Sequence, residues 1–205
     1  MKKHLMLLVL LVSISCSTLK KEVKTYQVGQ IITSKGEMLF WLSDKTPLHK
    51  ANFIKLANAK YWDSLTFNRV IKNFVIQGGC PDTPEGFGDS QYLLKPEFNN
   101  GLKHIYGAVG AGRDDNPEKL SASCQFYIVN HKNGIPRLDG DYTIFGQIFK
   151  GLAILDAISS VETDSLNTPL TTLTLDVNII LLTEKELKKY GYDFKTPINL
   201  DEKQK

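Results

Sequence analysis

The chain has 205 residues, 42% hydrophobic, 10% aromatic and 23% charged, which is the make-up of one folded domain or at most two small ones. That excludes a disordered chain, a collagen-like repeat and a disulfide-dense miniature scaffold. The formal charge is +3, and losing Lys2 and Lys3 with the first fifteen residues leaves 23 basic against 22 acidic side chains. A chain this close to neutral has no general pull on nucleic acid or on an anionic membrane.

Lys2 and Lys3 precede an apolar run from Leu5 to Val12 that extends to Ile14. The run is too short for a membrane-spanning helix, which takes about 20 residues, and a basic start with a short apolar core is the pattern of an export signal. It ends at Ser13-Ile14-Ser15-Cys16, which resembles the lipobox of bacterial lipoproteins, with Ser13 where such boxes usually carry Leu. The resemblance implies removal of residues 1–15 and lipidation of Cys16. A polar tether over 16–25 would then hold the protein at a bacterial cell envelope, facing the periplasm. Ordinary signal cleavage with Cys16 incidental would instead give a secreted protein. Cys80 and Cys124 lie outside any C-x-x-C pair and His4, His49, His104 and His131 are scattered, so neither a metal site nor a cofactor is expected. The two cysteines read as separate thiols, with a bridge as the alternative in an oxidising compartment.

From Tyr26 the chain alternates. Val28–Thr33 and Glu37–Leu42 flank Ser34-Lys35-Gly36 and read as a hairpin. A helix starts around Asp44-Lys45-Thr46-Pro47, where the missing N–H of Pro47 costs nothing, and Phe53, Ile54, Leu56, Ala57 and Tyr61 form its apolar stripe. Thr66–Ile71 and Phe74–Gln77 are strands, followed by an irregular loop from Cys80 to Asp89. Tyr106–Ala111, Gln125–Asn130, Thr143–Phe149 and Leu173–Leu182 are further strands, with a polar loop over Gly112–Ser123 and an amphipathic helix over Gly151–Val161. A charged tail over 184–205 contains a short helix around Glu184–Lys189 and little to hold its last residues down. Many short strands and two real helices predict a mainly β fold in one domain, 26–183: a closed antiparallel barrel with helices plugging its ends.

Phe67 to Gly79 reads F-N-R-V-I-K-N-F-V-I-Q-G-G. It places Arg69 inside an apolar strand, on the face that alternation gives to Phe67 and Ile71. On spacing alone that arginine reads equally as a functional cation and as a rim residue reaching for water or a carboxylate.

This segment resembles the signature F-H-R-V-I-x-x-F-M-x-Q-G-G of cyclophilin-type peptidyl-prolyl isomerases. Leu102-Lys103-His104, Gly107 to Arg113, Ser123 to Ile128 and Leu138-Asp139-Gly140 through Phe145-Gly146 resemble further blocks of that family in the same order, over about three quarters of the chain. The resemblance implies an eight-stranded antiparallel barrel capped by two helices. It further implies a monomer that needs no cofactor and acts on proline-containing polypeptides. Arg69 matches the catalytic arginine and Gln77 the glutamine that orients it. Phe74, Val75, Tyr127 and Leu138 match the proline pocket, while Gln125, Gly112, Arg113 and Tyr142 match its surroundings. Several residues depart from the family pattern: Val75 for Met, Tyr127 for Phe, Tyr142 for His, Asn68 for His and Arg137 for a Trp of eukaryotic members. Gly110-Ala111-Gly112 is also smaller than usual. These changes imply a pocket floor that carries a hydroxyl, a looser groove and weak cyclosporin binding. Two other functions stay open: a chaperone-like module that holds proline segments with little turnover, and a lipocalin-like barrel with a small ligand inside.

Overall fold

The computed structural model describes residues 23–80, 93–192 and 194. The export signal, Cys16 and the Cys80–Asp89 loop beyond Cys80 lie outside them. The predicted hairpin is β1 (Thr25–Thr33) and β2 (Gly36–Leu42), paired from Thr33 opposite Gly36 back to Val28 opposite Trp41. Alternation sends Ile31, Met38, Phe40 and Leu42 inward, where they are at most 1% exposed. The remaining long strands are β3 (Leu65–Val70), β4 (Val75–Gly79), β6 (Ala108–Ala111), β8 (Gln125–Val129), β9 (Ile144–Lys150) and β10 (Thr174–Thr183). They close an eight-stranded antiparallel barrel in the order β1-β10-β3-β4-β8-β6-β9-β2. Two-residue strands β5 (Leu93–Leu94) and β7 (Ser121–Ala122) pair with each other outside it. Strands this short leave no periodicity to read, so the Gly112–Ser123 segment looked like plain loop.

Helix α1 (Pro47–Asn58) starts at the expected proline, and its first free N–H groups are capped from outside. The Glu97 carboxylate accepts from Leu48 N at 3.1 Å and His49 N at 3.0 Å. Phe53 and Ala57 plug one end of the barrel, and α2 (Leu152–Ser159) plugs with Leu155 and Ile158. Tyr61, expected on the α1 stripe, lies beyond the last turn at 45% exposure, and Trp62 turns inward instead. The interior is filled by side chains in contact: Phe53 stands edge-on to Phe40 at 5.2 Å and Phe67 to Phe126 at 6.1 Å. Among the described residues the barrel interior is thus filled by packed side chains where a lipocalin-like barrel would hold a ligand.

Cys80 and Cys124 are joined, correcting the expectation of separate thiols. The reason is register. Gly79 pairs with Gln125, so the residues one step further out face each other, with Cα atoms 5.3 Å apart. The described part of the charged segment after Thr183 is also anchored. In α3 (Glu184–Lys189), Leu187 is fully buried against Val28, Leu39 and Leu182, and Tyr192 stacks on Trp41 at 5.0 Å. The packed body thus continues past residue 183 to Phe194, which meets Tyr26 at 5.3 Å.

Candidate active site

Between Thr66 opposite Gly79 and Arg69 opposite Gln77, β3 spends three residues where β4 spends two. This β-bulge reverses the parity of the strand. Phe67 and Val70 face the core, while Arg69 turns outward. Arg69 therefore does not share the face of Phe67, as simple alternation had it. On the outer surface it donates from Nη1 to Gln77 Oε1 at 3.1 Å, which fixes the guanidinium while leaving its other donors available.

The outward residues of β4 and β8 continue the site. Val75 and Tyr127 form a second apolar cluster with Ala108, Val129, Ile135 and Ile144, on the outside of the barrel. Phe74, Leu138 and Tyr142 pack onto it from the loops. A 3₁₀ turn (Pro136–Leu138) supplies Leu138, and the β3–β4 turn supplies Phe74. Buried Asn130 pins that second turn, accepting from Phe74 N at 2.7 Å and donating to Ile71 O at 3.0 Å. Nothing in the sequence around Asn130 marks it for this task, because its partners lie more than fifty residues away.

The result is an open groove of about 360 Å³. All ten residues expected in the site, from Arg69 and Gln77 to Gln125 and Tyr142, line it. Asp114 and Arg137 line it too. Arg113 is held over the Tyr142 ring at 4.5 Å and pairs with Asp115 at 3.7 Å. Gln125 donates to Cys80 O at 3.4 Å, while its backbone accepts from Gly112 N at 3.0 Å. Among the described residues no three His, Cys, Asp or Glu side chains converge on a metal position. The proposed lipidation residue, Cys16, lies outside the described residues.

Beneath the floor lies a chain of three polar groups, the inner two buried. Asp139 Oδ1 faces His104 Nδ1 at 2.7 Å, and His104 Nε2 faces Tyr127 Oη at 2.7 Å. The carboxylate requires a proton on Nδ1, so Nε2 is the acceptor and the tyrosine hydroxyl donates. Burial holds the His104 imidazole below its ordinary pKa against the opposing pull of Asp139, and burial raises the Tyr127 phenol well above its own. The hydroxyl expected in the groove thus points away from it. Gly110 does not loosen the groove either, because a Cβ there would stand 2.3 Å from Tyr127 Cζ. The glycine is the space that the larger ring occupies. Changing Tyr127→Phe leaves a buried imidazole nitrogen unpartnered, and should lower the unfolding free energy by about 1–3 kcal/mol in urea titrations. A neutral result would show that water replaces the hydroxyl.

Comparison with known proteins bears on this groove. The profile of the family described as "Cyclophilin type peptidyl-prolyl cis-trans isomerase/CLD" matches residues 28–179. Peptidyl-prolyl cis-trans isomerase A of Dickeya dadantii is 32% identical over 139 residues, covering 66% of this chain and 72% of that protein. Peptidyl-prolyl cis-trans isomerase CYP18-2 of Arabidopsis thaliana is 34% identical over 121 residues, covering 58% and 71% respectively. Among solved structures, a Cryptosporidium parvum cyclophilin type isomerase, crystallised in the presence of the dipeptide Ala-Pro, superposes with a TM-score of 0.65. It is 25% identical, and the match covers 75% of this chain and 98% of that one.

Proposed function

Because the chain belongs to the cyclophilin-type peptidyl-prolyl cis-trans isomerase family, we propose that its groove rotates X–Pro bonds in exported or envelope polypeptides, with Arg69 as the catalytic group. The chain is an enzyme, a peptidyl-prolyl cis-trans isomerase (EC 5.2.1.8). Amide resonance sets a barrier of ~18–20 kcal/mol to this rotation. Twisting the bond breaks that resonance and localises a lone pair on the prolyl nitrogen. A cationic donor aimed there interacts with the twisted state more strongly than with either planar isomer, which is the condition for catalysis. No covalent intermediate is needed. The observation that carries the reading is Arg69, fixed by Gln77 at 3.1 Å and lining the same groove as Phe74, Val75, Tyr127 and Leu138. The proline ring seats on those four side chains while the guanidinium reaches its nitrogen. Proline-containing polypeptides are the partners, and one copy of the chain suffices because every groove residue comes from it.

A protease-coupled assay with a proline peptide tests this. Wild-type protein should accelerate the slow cis phase, and a rate equal to the uncatalysed one overturns the reading. The setting rests on the N-terminal sequence. Lys2, Lys3, the apolar run and Cys16 support export and lipid anchoring in a bacterial envelope, with the domain facing the periplasm. Mass spectrometry of the mature N-terminus should find Cys16 as residue one carrying acyl chains. An unmodified N-terminus elsewhere would leave a secreted enzyme.

A further inference from the structure

We propose that the groove selects substrates by charge, and that Arg137 makes it favour an acidic side chain directly beside the proline. This rests on the isomerase reading above. The whole chain is nearly neutral, with 25 basic against 22 acidic residues, yet the groove is not. Among the described residues three guanidinium groups line it, from Arg69, Arg113 and Arg137, against one carboxylate, Asp114.

The three cations are differently engaged. Arg69 is held by Gln77. Arg113 is committed to Tyr142 and Asp115, with its side chain only 9% exposed. Arg137 lies with its guanidinium carbon 5.0 Å above the Phe74 ring, and its neighbour in the 3₁₀ turn, Leu138, is a wall of the same pocket. Among the described residues no carboxylate lies within ion-pair distance of Arg137. Asp139, two residues on, is turned to His104 at 2.7 Å and Lys103 at 3.7 Å. The cation–π contact with Phe74 holds the exposed guanidinium beside the pocket, and a planar guanidinium with free donors is suited to a bidentate carboxylate. A residue beside a proline seated against Phe74 and Leu138 passes that guanidinium. A carboxylate there gains a partner, and an ammonium meets a like charge.

The test uses the full chain and three series members: peptides identical except for Glu, Gln or Lys beside the proline, made once for the preceding and once for the following position. kcat/KM is read by NMR exchange at about 0.1 M and about 1 M salt, where the Debye length falls from roughly 10 to 3 Å. In at least one of the two positions the order should be Glu, Gln, Lys, with about 2- to 5-fold between neighbours at the lower salt, as for exposed ion pairs. The spread should narrow at high salt. Arg137→Gln should compress the series and Arg137→Glu should reverse it. Equal rates for all three peptides at both positions, or an order that survives Arg137→Glu, overturn the proposal. A Gln peptide that is not accelerated at all overturns the isomerase reading instead, which keeps the two failures apart.

Discussion

Replacing Arg69 with alanine should reduce kcat/KM for a proline peptide by about 10²- to 10³-fold, the loss seen when one preorganised donor to a transition-state charge is removed. Each tenfold corresponds to about 1.36 kcal/mol of barrier, so one side chain is asked for roughly 2.7–4 kcal/mol. That is within the reach of a charge-assisted hydrogen bond that forms fully only when the prolyl nitrogen has pyramidalised. The loss should fall on kcat and kcat/KM together, because the interaction is weak in the bound ground state. Arg69 stands on the outer face of the barrel, half-buried and away from the packed interior, so near-UV circular dichroism should be unchanged. Arg69→Lys keeps the charge and gives up the planar fork that serves Gln77 and the substrate at once, and should fall between the two. A rise in KM with kcat intact would mean that Arg69 only binds substrate and that the acceleration comes from other groups of the groove.

Removing the cross-link, by Cys80→Ser with Cys124→Ser, should lower the unfolding free energy by about 4 kcal/mol. This follows from the entropy returned to the unfolded chain by opening a loop of 44 residues. Against typical domain stabilities of about 5–15 kcal/mol this is a large share. The same change should weaken the groove, because the disulfide clamps the end of β4 next to the start of β8, where Gln125 sits. The Gln125 side chain bonds to Cys80 O and its backbone to Gly112 N. Urea unfolding of oxidised and double-serine protein gives the first number and the peptide assay the second. A stability difference below about 1 kcal/mol would show that the β4–β8 pairing holds itself without the bridge.

What the sequence made legible, and what it hid, divides by range. The hairpin around Gly36, the α1 start at Pro47 and the alternating strands are local patterns, and each appears within three residues of its expected limits. The ordered blocks from Phe67 to Gly146 carried the barrel and named the groove residues, because side-chain identities along a strand survive even when its neighbours cannot be inferred. Register across strands is not written locally. The bulge that turns Arg69 outward depends on β4 counting two residues against three, and the Cys80–Cys124 bridge on Gly79 meeting Gln125. The polar chain under the floor has the same character: His104, Tyr127 and Asp139 are far apart in sequence and meet only in the closed fold. Leu187, Tyr192 and Phe194 were masked in another way, as isolated apolar residues in a segment whose composition reads as solvated tail.

Strand order fixes one more thing. Around the barrel β8, which carries Tyr127, stands four places from β1 in either direction, so the wall that begins at Thr25 is the one diametrically across from the groove. An attachment made ahead of Thr25 thus joins the domain at the wall farthest from the groove. Immobilisation through the N-terminus should therefore cost the groove little access to large, unfolded polypeptides.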